Sequence, residues 1–209
     1  YRQDGHTCRL FATQFESHYA RKCFPCIDEP SAKATFDLSI TVNSPDVQTV
    51  LSNMPGEQVN HTWHFQTTPK MSTYLLAFVG GNFVSKSDRT KRGVKVNVYA
   101  TPAQPTGLLD YALDTAVKSV EFYEDYFGID YPLPKLDNVA LPDFSAGAME
   151  NWGLITYRES AMLADNNSAV DTRESVAITI THEIAHQWFG NLVTMAWWDD
   201  LWLNESFAS

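Results

Sequence analysis

The chain has no apolar run approaching the roughly 18 residues that would suggest a membrane-spanning helix, so no membrane segment is expected. Its three cysteines are an odd number, which disfavours a disulfide framework. Basic residues are the minority. Fifteen Lys and Arg against twenty-five Asp and Glu leave a net charge of −10, and without a basic stripe no nucleic-acid partner is expected. The start, Tyr1-Arg2-Gln3-Asp4-Gly5, lacks the charged-then-apolar profile of a secretion signal. Internal repeats and low-complexity stretches are missing too. What is left is an ordinary globular composition, at a length that suits one large domain or two small ones. The surplus carboxylates fit either plain solvation or a site for a cationic group. Composition does not separate the two.

Cys23-Phe24-Pro25-Cys26 has redox-motif spacing. A thioredoxin-like site needs its first cysteine at a helix N-terminus after a strand. Here the pair precedes Asp28-Glu29-Pro30 and a strand-like run, so buried structural thiols are the expectation.

The first half reads as β-structure. Phe36, Leu38, Ile40 and Val42 alternate with Asp37, Ser39 and Thr41, following Ala34 and Thr35, which is the pattern of a half-buried strand. Trp63 and Phe65 alternate in the same way, and Tyr74 to Val79 forms an apolar run ending at Gly80-Gly81. Short strands without helical pattern between them predict an antiparallel, sandwich-like module. The polar stretch Ser85 to Gly93 reads as a boundary turn, dividing the chain into 1–92 and 93–209. Val94, Val96 and Val98 then predict a strand. Leu109, Leu113, Ala116, Val120, Tyr123 and Phe127 recur at helical spacing, with Gly128 as the stop. Leu136 to Leu141 reads as a further strand. Asp171 with Glu174 looks like a capping box opening a helix whose run from Val176 to Phe189 is apolar on most sides and closed by Gly190. A third helix is expected from near Asp199. The fold class is α+β.

Polar residues inside so apolar a helix need a reason. His182-Glu183-Ile184-Ala185-His186 is the H-E-x-x-H pattern. On a helix the two histidines lie one turn apart on one face, so both imidazoles reach a single ion. Two core histidines satisfied by hydrogen bonds are the plain alternative. Burying two His and one Glu within a turn without a shared cation would be costly, which favours a metal site. Catalytic zinc takes three protein ligands and a water. Glu183 projects beside the metal, where it can take a proton from that water.

Eighteen residues separate His186 from Glu205, which lies within Leu201-Trp202-Leu203-Asn204-Glu205-Ser206. With Trp188 to Thr194 and Trp197-Trp198-Asp199, this region resembles the zinc aminopeptidase family typified by aminopeptidase N, within the gluzincin metallopeptidases. Gly147-Ala148-Met149-Glu150-Asn151 is similar to that family's exopeptidase signature, about thirty residues before the metal motif. Thr13 to Glu16, Ala20-Arg21 and Phe24 to Pro30 resemble the segment where the family's N-terminal domain reaches the active site. The wording departs from many relatives at Ser17-His18-Tyr19.

The resemblance implies an antiparallel N-terminal β module followed by the first part of a thermolysin-like catalytic domain. It also implies one zinc per chain held by His182, His186 and Glu205, with Glu183 as the base. Glu150 is expected to bind the free α-ammonium of a peptide substrate, with Gln14 and Glu16 assisting. Gly147, Ala148, Met149 and Asn151 are expected to line that place. Relatives continue through the rest of the catalytic lobe and a helical C-terminal domain, and supply an oxyanion-stabilising tyrosine beyond residue 209. The segment alone is therefore expected to be inactive, and the cytoplasm is the expected location. Two rivals are an epoxide-lipid hydrolase of the same fold and a non-catalytic interaction scaffold. The first carries a second glycine where Ala148 stands here. The second typically loses the metal ligands, all three of which are present.

Overall fold

Alternating side chains build the first half into two small antiparallel sheets. The computed structural model describes Tyr1–Ser209. A short hairpin of β1 (Arg2–Gln3) and β2 (His6–Thr7) opens the chain. One three-stranded sheet runs in the order β3 (Phe11–Ala12), β8 (Phe78–Gly81), β5 (Thr49–Ser52). The other runs β4 (Ser39–Thr41), β7 (Thr62–Phe65), β6 (Gly56–Val59). The predicted long strand shrinks to β4, but its alternation survives. Phe36, Leu38 and Ile40 are half-buried, while Asp37, Ser39 and Thr41 are exposed. The apolar run from Tyr74 is split between a short 3-10 turn, Thr73–Leu75, and β8.

The second half is a mixed sheet rather than a purely antiparallel one. Its order is β12 (Ala148–Met149), β13 (Leu154–Arg158), β11 (Lys135–Leu141), β10 (Lys95–Ala100), β9 (Val84–Arg89). Strands β10 and β11 run parallel, as do β11 and β13. A parallel neighbour requires a crossover, and α1 (Leu109–Phe127) supplies it. Gly128 ends α1 in the left-handed region at φ 65°, where only glycine sits without penalty. The stretch from Ser85 to Gly93 is turn only at Lys91 and Arg92. Most of it is β9, which pairs antiparallel with β10 from Val84↔Ala100 to Arg89↔Lys95.

Helix α2 (Glu159–Met162) leads to α3 (Val170–Ala185), which carries the metal motif. Two expectations about α3 need correction. Its N-cap is Ala169, with no side-chain cap, so Asp171 lies inside the first turn, where its charge favours the helix dipole. Burial is also one-sided. Val176, Ile180, Ile184 and Ala185 are buried, whereas Val170 and Ile178 are exposed. The helix ends at Ala185, residues 186–188 form a turn, and Phe189 bridges to Val193. After a 3-10 turn at Trp198–Asp200 comes α4 (Leu201–Ala208). No helix is long and apolar enough to cross a membrane.

One large core joins both halves, running from Phe15, Met71 and Leu75 through Val96, Val98 and Leu136 to Ile180, Ile184 and Trp188. Polar groups also cross the junction. Asn53 donates from Nδ2 to the carbonyls of Leu75 (2.7 Å) and Trp152 (2.8 Å). Gly153, at φ 77°, lies so close that a Cβ there would meet the Asn53 carbonyl at 2.4 Å. Cys23 is exposed and Cys26 half-buried, both free. Neither is a fully buried structural thiol: Cys26 packs only at the margin of the core, beside Phe24, and Cys23 faces outward.

Candidate metal centre

His182 and His186 stand one turn apart at the end of α3, their ring centroids 4.6 Å apart and nearly perpendicular. Their Nε2 atoms lie 3.0 Å from each other. Glu205 on α4 reaches across, placing Oε2 3.2 Å from His182 Nε2 and 3.8 Å from His186 Nε2. All three ligand atoms fall within 4.8 Å of one another. His186 Nδ1 is 3.1 Å from the Phe189 carbonyl. A carbonyl only accepts, so Nδ1 donates there, and Nε2 is the nitrogen left to face a cation.

Local chain geometry brings α4 this close. Gly190 sits at φ 130°, and a Cβ on it would meet Asn204 Oδ1 at 2.2 Å. Its N–H donates to the Val193 carbonyl at 2.7 Å. The glycine therefore permits both the sharp turn after His186 and the seat for Asn204 beside Glu205. Phe189 packs on Phe207 with ring centroids 4.3 Å apart. Trp188 anchors the turn from the other side, donating from Nε1 to the Ile129 carbonyl at 2.9 Å and packing against Tyr123, Phe127 and Tyr131.

Electrostatics select a cation. Glu205 lies far below the usual carboxylate range because both histidines hydrogen-bond to it. Burial pulls His186 down, but Glu205, Glu150 and Glu183 outweigh it and hold its pKa at about 9. Glu183 is buried, its Oε2 without a partner, and its pKa is pushed well up, by burial first and then by Glu150. Glu16 is raised to about 8 by burial, then by Glu150 and Glu205. Four carboxylates share this region with only two imidazoles to offset them. A bound cation would displace the His186 proton, and two imidazole nitrogens with a carboxylate are then the donor set of a catalytic zinc site; the orphaned Glu183 oxygen suits a base beside it. The residues fit the metal.

The other expected residues divide into two groups. Glu150 follows β12 directly and is 4% exposed. Gln14 and Glu16 come from the N-terminal module, and Gln14 Nε2 donates to Met149 Sδ at 3.2 Å. Gln14 Oε1 is buried without a partner, ready to accept from a ligand N–H. Gly147 is exposed, with open space where a Cβ would be, and Ala148 is half-buried. The side chains of Met149 and Asn151 are instead buried, Asn151 donating to Thr156 Oγ1 at 3.3 Å. They shape the segment rather than offering side chains to a cleft.

Two features were not legible as site residues. Tyr74 is buried with its hydroxyl unpartnered, packed edge-on against Trp198 and pushed up by burial, then by Glu150, Glu16 and Glu205. An apolar strand-like run hid it. Gln187 lies fully buried beside His186. A glutamine within an apolar run was the available signal.

Residues 111–209 match the peptidase family M1 domain, and residues 1–75 match the peptidase M1 N-terminal domain. The chain belongs to peptidase family M1. Among M1 relatives, aminopeptidase N of Lactococcus lactis subsp. lactis is 56% identical over 215 residues, covering 100% of this chain and 25% of its own length. Aminopeptidase N of Lactobacillus helveticus is 52% identical, with the same coverage. Endoplasmic reticulum aminopeptidase 1 of Rattus norvegicus is 54% identical over 99% of this chain and 23% of its own. The chain thus spans about a quarter of the length of the curated M1 relatives it matches.

Proposed function

We propose that the protein containing this segment is a zinc aminopeptidase, releasing single residues from peptides with a free N-terminus. One observation carries the reading. His182, His186 and Glu205 converge within 4.8 Å, beside the buried, unpartnered Oε2 of Glu183. Zinc held by these three residues would polarise the scissile carbonyl and make water a better nucleophile. Glu183 takes the proton of the attacking water on Oε2. The same carboxyl then returns that proton to the leaving amine. Glu150, Glu16 and the open Oε1 of Gln14 receive the α-ammonium, with the backbone of Gly147 and Ala148 lining the approach. This places the first peptide bond, and no later one, at the base. We assign the second half to a thermolysin-like catalytic domain, with the oxyanion donor supplied outside residues 1–209.

The test compares peptides with free and N-acetylated ends in the complete protein. The α-amino group is largely cationic at neutral pH, with a reference pKa of about 7.7–8.0. Glu150→Ala should weaken free-amine substrates by roughly 1.5–3 kcal/mol, the worth of a charged hydrogen bond, while zinc content holds. Equal cleavage of acetylated and free peptides by the wild type would refute the reading.

A further inference from the structure

We infer that Gln187, seconded by Asn191, is the positioning residue that sets Glu150 relative to the metal ligands. The inference rests on the aminopeptidase reading of Glu150. Its basis is the hydrogen bonding of one buried carbonyl. Gln187 Nε2 donates to the Glu150 carbonyl at 3.0 Å and to the Glu183 carbonyl at 3.3 Å. Gln187 Oε1 accepts from the Gly153 N–H at 3.0 Å and from the Tyr131 hydroxyl at 3.3 Å. A primary amide offers two donors and two acceptor positions, and all four are used. Asn191 Nδ2 donates to the same Glu150 carbonyl at 2.8 Å. Both side chains are 0% exposed.

A carbonyl has two lone pairs, so two amide donors saturate that of Glu150 and leave nothing for a neighbouring strand. The chain leaves the sheet after Met149 and is handed to the metal-bearing segment. The side chain of Glu150 is held from the same direction, since Asn204 Nδ2 donates to its Oε1 at 3.3 Å. Gln187 follows the ligand His186, and Asn204 precedes the ligand Glu205. Each ligand is thus tied, through its chain neighbour, to the carboxylate that is to hold the ammonium. The distance from ammonium to metal decides which peptide bond is presented. Here that distance is set by side-chain amides and not by the strand that precedes Glu150.

Glutamine alone meets the requirement. Glutamate keeps the acceptors but loses both donors, and asparagine is one methylene short. The experiment is steady-state kinetics on the complete zinc-loaded protein carrying Gln187→Glu, Asn191→Asp or Tyr131→Phe. The substrates are an aminoacyl reporter and its N-acetyl counterpart, with zinc content measured in parallel. Gln187→Glu should raise KM for the free-amine substrate about tenfold or more and narrow its advantage over the acetylated one. Zinc should stay at one per chain, and kcat should change much less. Asn191→Asp should move KM the same way by a smaller factor, and it carries the test if Gln187→Glu does not fold. Tyr131→Phe removes the hydroxyl's bonds to Gln187 Oε1 and to the Lys135 carbonyl, neither of which touches Glu150, and should leave the free-to-acetyl ratio unchanged. An unchanged KM in the folded variants, or a fall in kcat that tracks lost zinc, would overturn the inference. A wild type indifferent to acetylation would instead remove the Glu150 role beneath it.

Discussion

Replacing Lys135 by methionine should cost the protein about 4 kcal/mol and loosen the turn that follows Glu150. Lys135 is buried in β11. Its ammonium has three N–H groups, all spent: on the Ser52 carbonyl at 2.5 Å, Asp137 Oδ2 at 2.6 Å and the Gly153 carbonyl at 2.8 Å. Burial pulls its pKa below the ordinary lysine value, with Asp137 opposing. Methionine keeps most of the stem and removes the charge. The Asp137 side chain, 4% exposed, would then hold only the Asn97 amide at 2.6 Å. Stranding one partner of a buried pair typically costs about 3–5 kcal/mol. The Ser52 carbonyl would lose a partner worth roughly 1–3 kcal/mol, whereas the Gly153 carbonyl keeps the Asp137 N–H at 3.0 Å. These losses overlap, so a total near 4 is the expectation, against whole-domain stabilities of about 5–15 kcal/mol. Lys135→Met with Asp137→Asn removes the stranded charge and should recover roughly 2 kcal/mol. The assay is urea unfolding of wild type, single and double variants at fixed zinc, read by the shift in midpoint. A single variant within about 1 kcal/mol of wild type, or a double no more stable than the single, would refute this account of the junction.

Two further outcomes concern the metal centre. His186→Ala should abolish stoichiometric zinc, whereas Glu183→Gln should retain it while hydrolysis collapses, because only the base is removed. Elemental analysis finding equal zinc loss in both would break that division of labour. In excess chelator, thermal stability should fall as pH rises from about 4.5 to 9. Glu16, raised from 4.5 to about 8, stabilises while protonated and loses that contribution through this window. His186, raised from 6.5 to about 9, loses its own contribution between those values, in the same direction. Zinc should flatten the profile, and a stability that rises with pH in chelator would contradict the carboxylate crowding described above.

Much of this architecture follows from local pattern. Period-3.6 apolar spacing and Gly128 were enough to place α1 from Leu109 to Phe127, because an amphipathic face and a left-handed stop are properties of neighbouring residues. The i, i+4 histidines were equally legible, since helix geometry alone puts them on one face. The spacing to Glu205 identified the third ligand only through resemblance; eighteen intervening residues impose no geometry by themselves. The tertiary structure decided what depends on partners distant in sequence. Ser85 to Gly93 is polar and turn-like in isolation, yet β9 forms there because β10 offers an unpaired edge. Apolar spacing alone carries the helix on to Phe189, but the Gly190 turn and the packing of α4 end it at Ala185. The exopeptidase segment was readable as a motif. Its attachment to Gln187, Asn191 and Asn204 was not, for a buried amide shows in sequence only as a polar letter, and its partners are chosen by the fold.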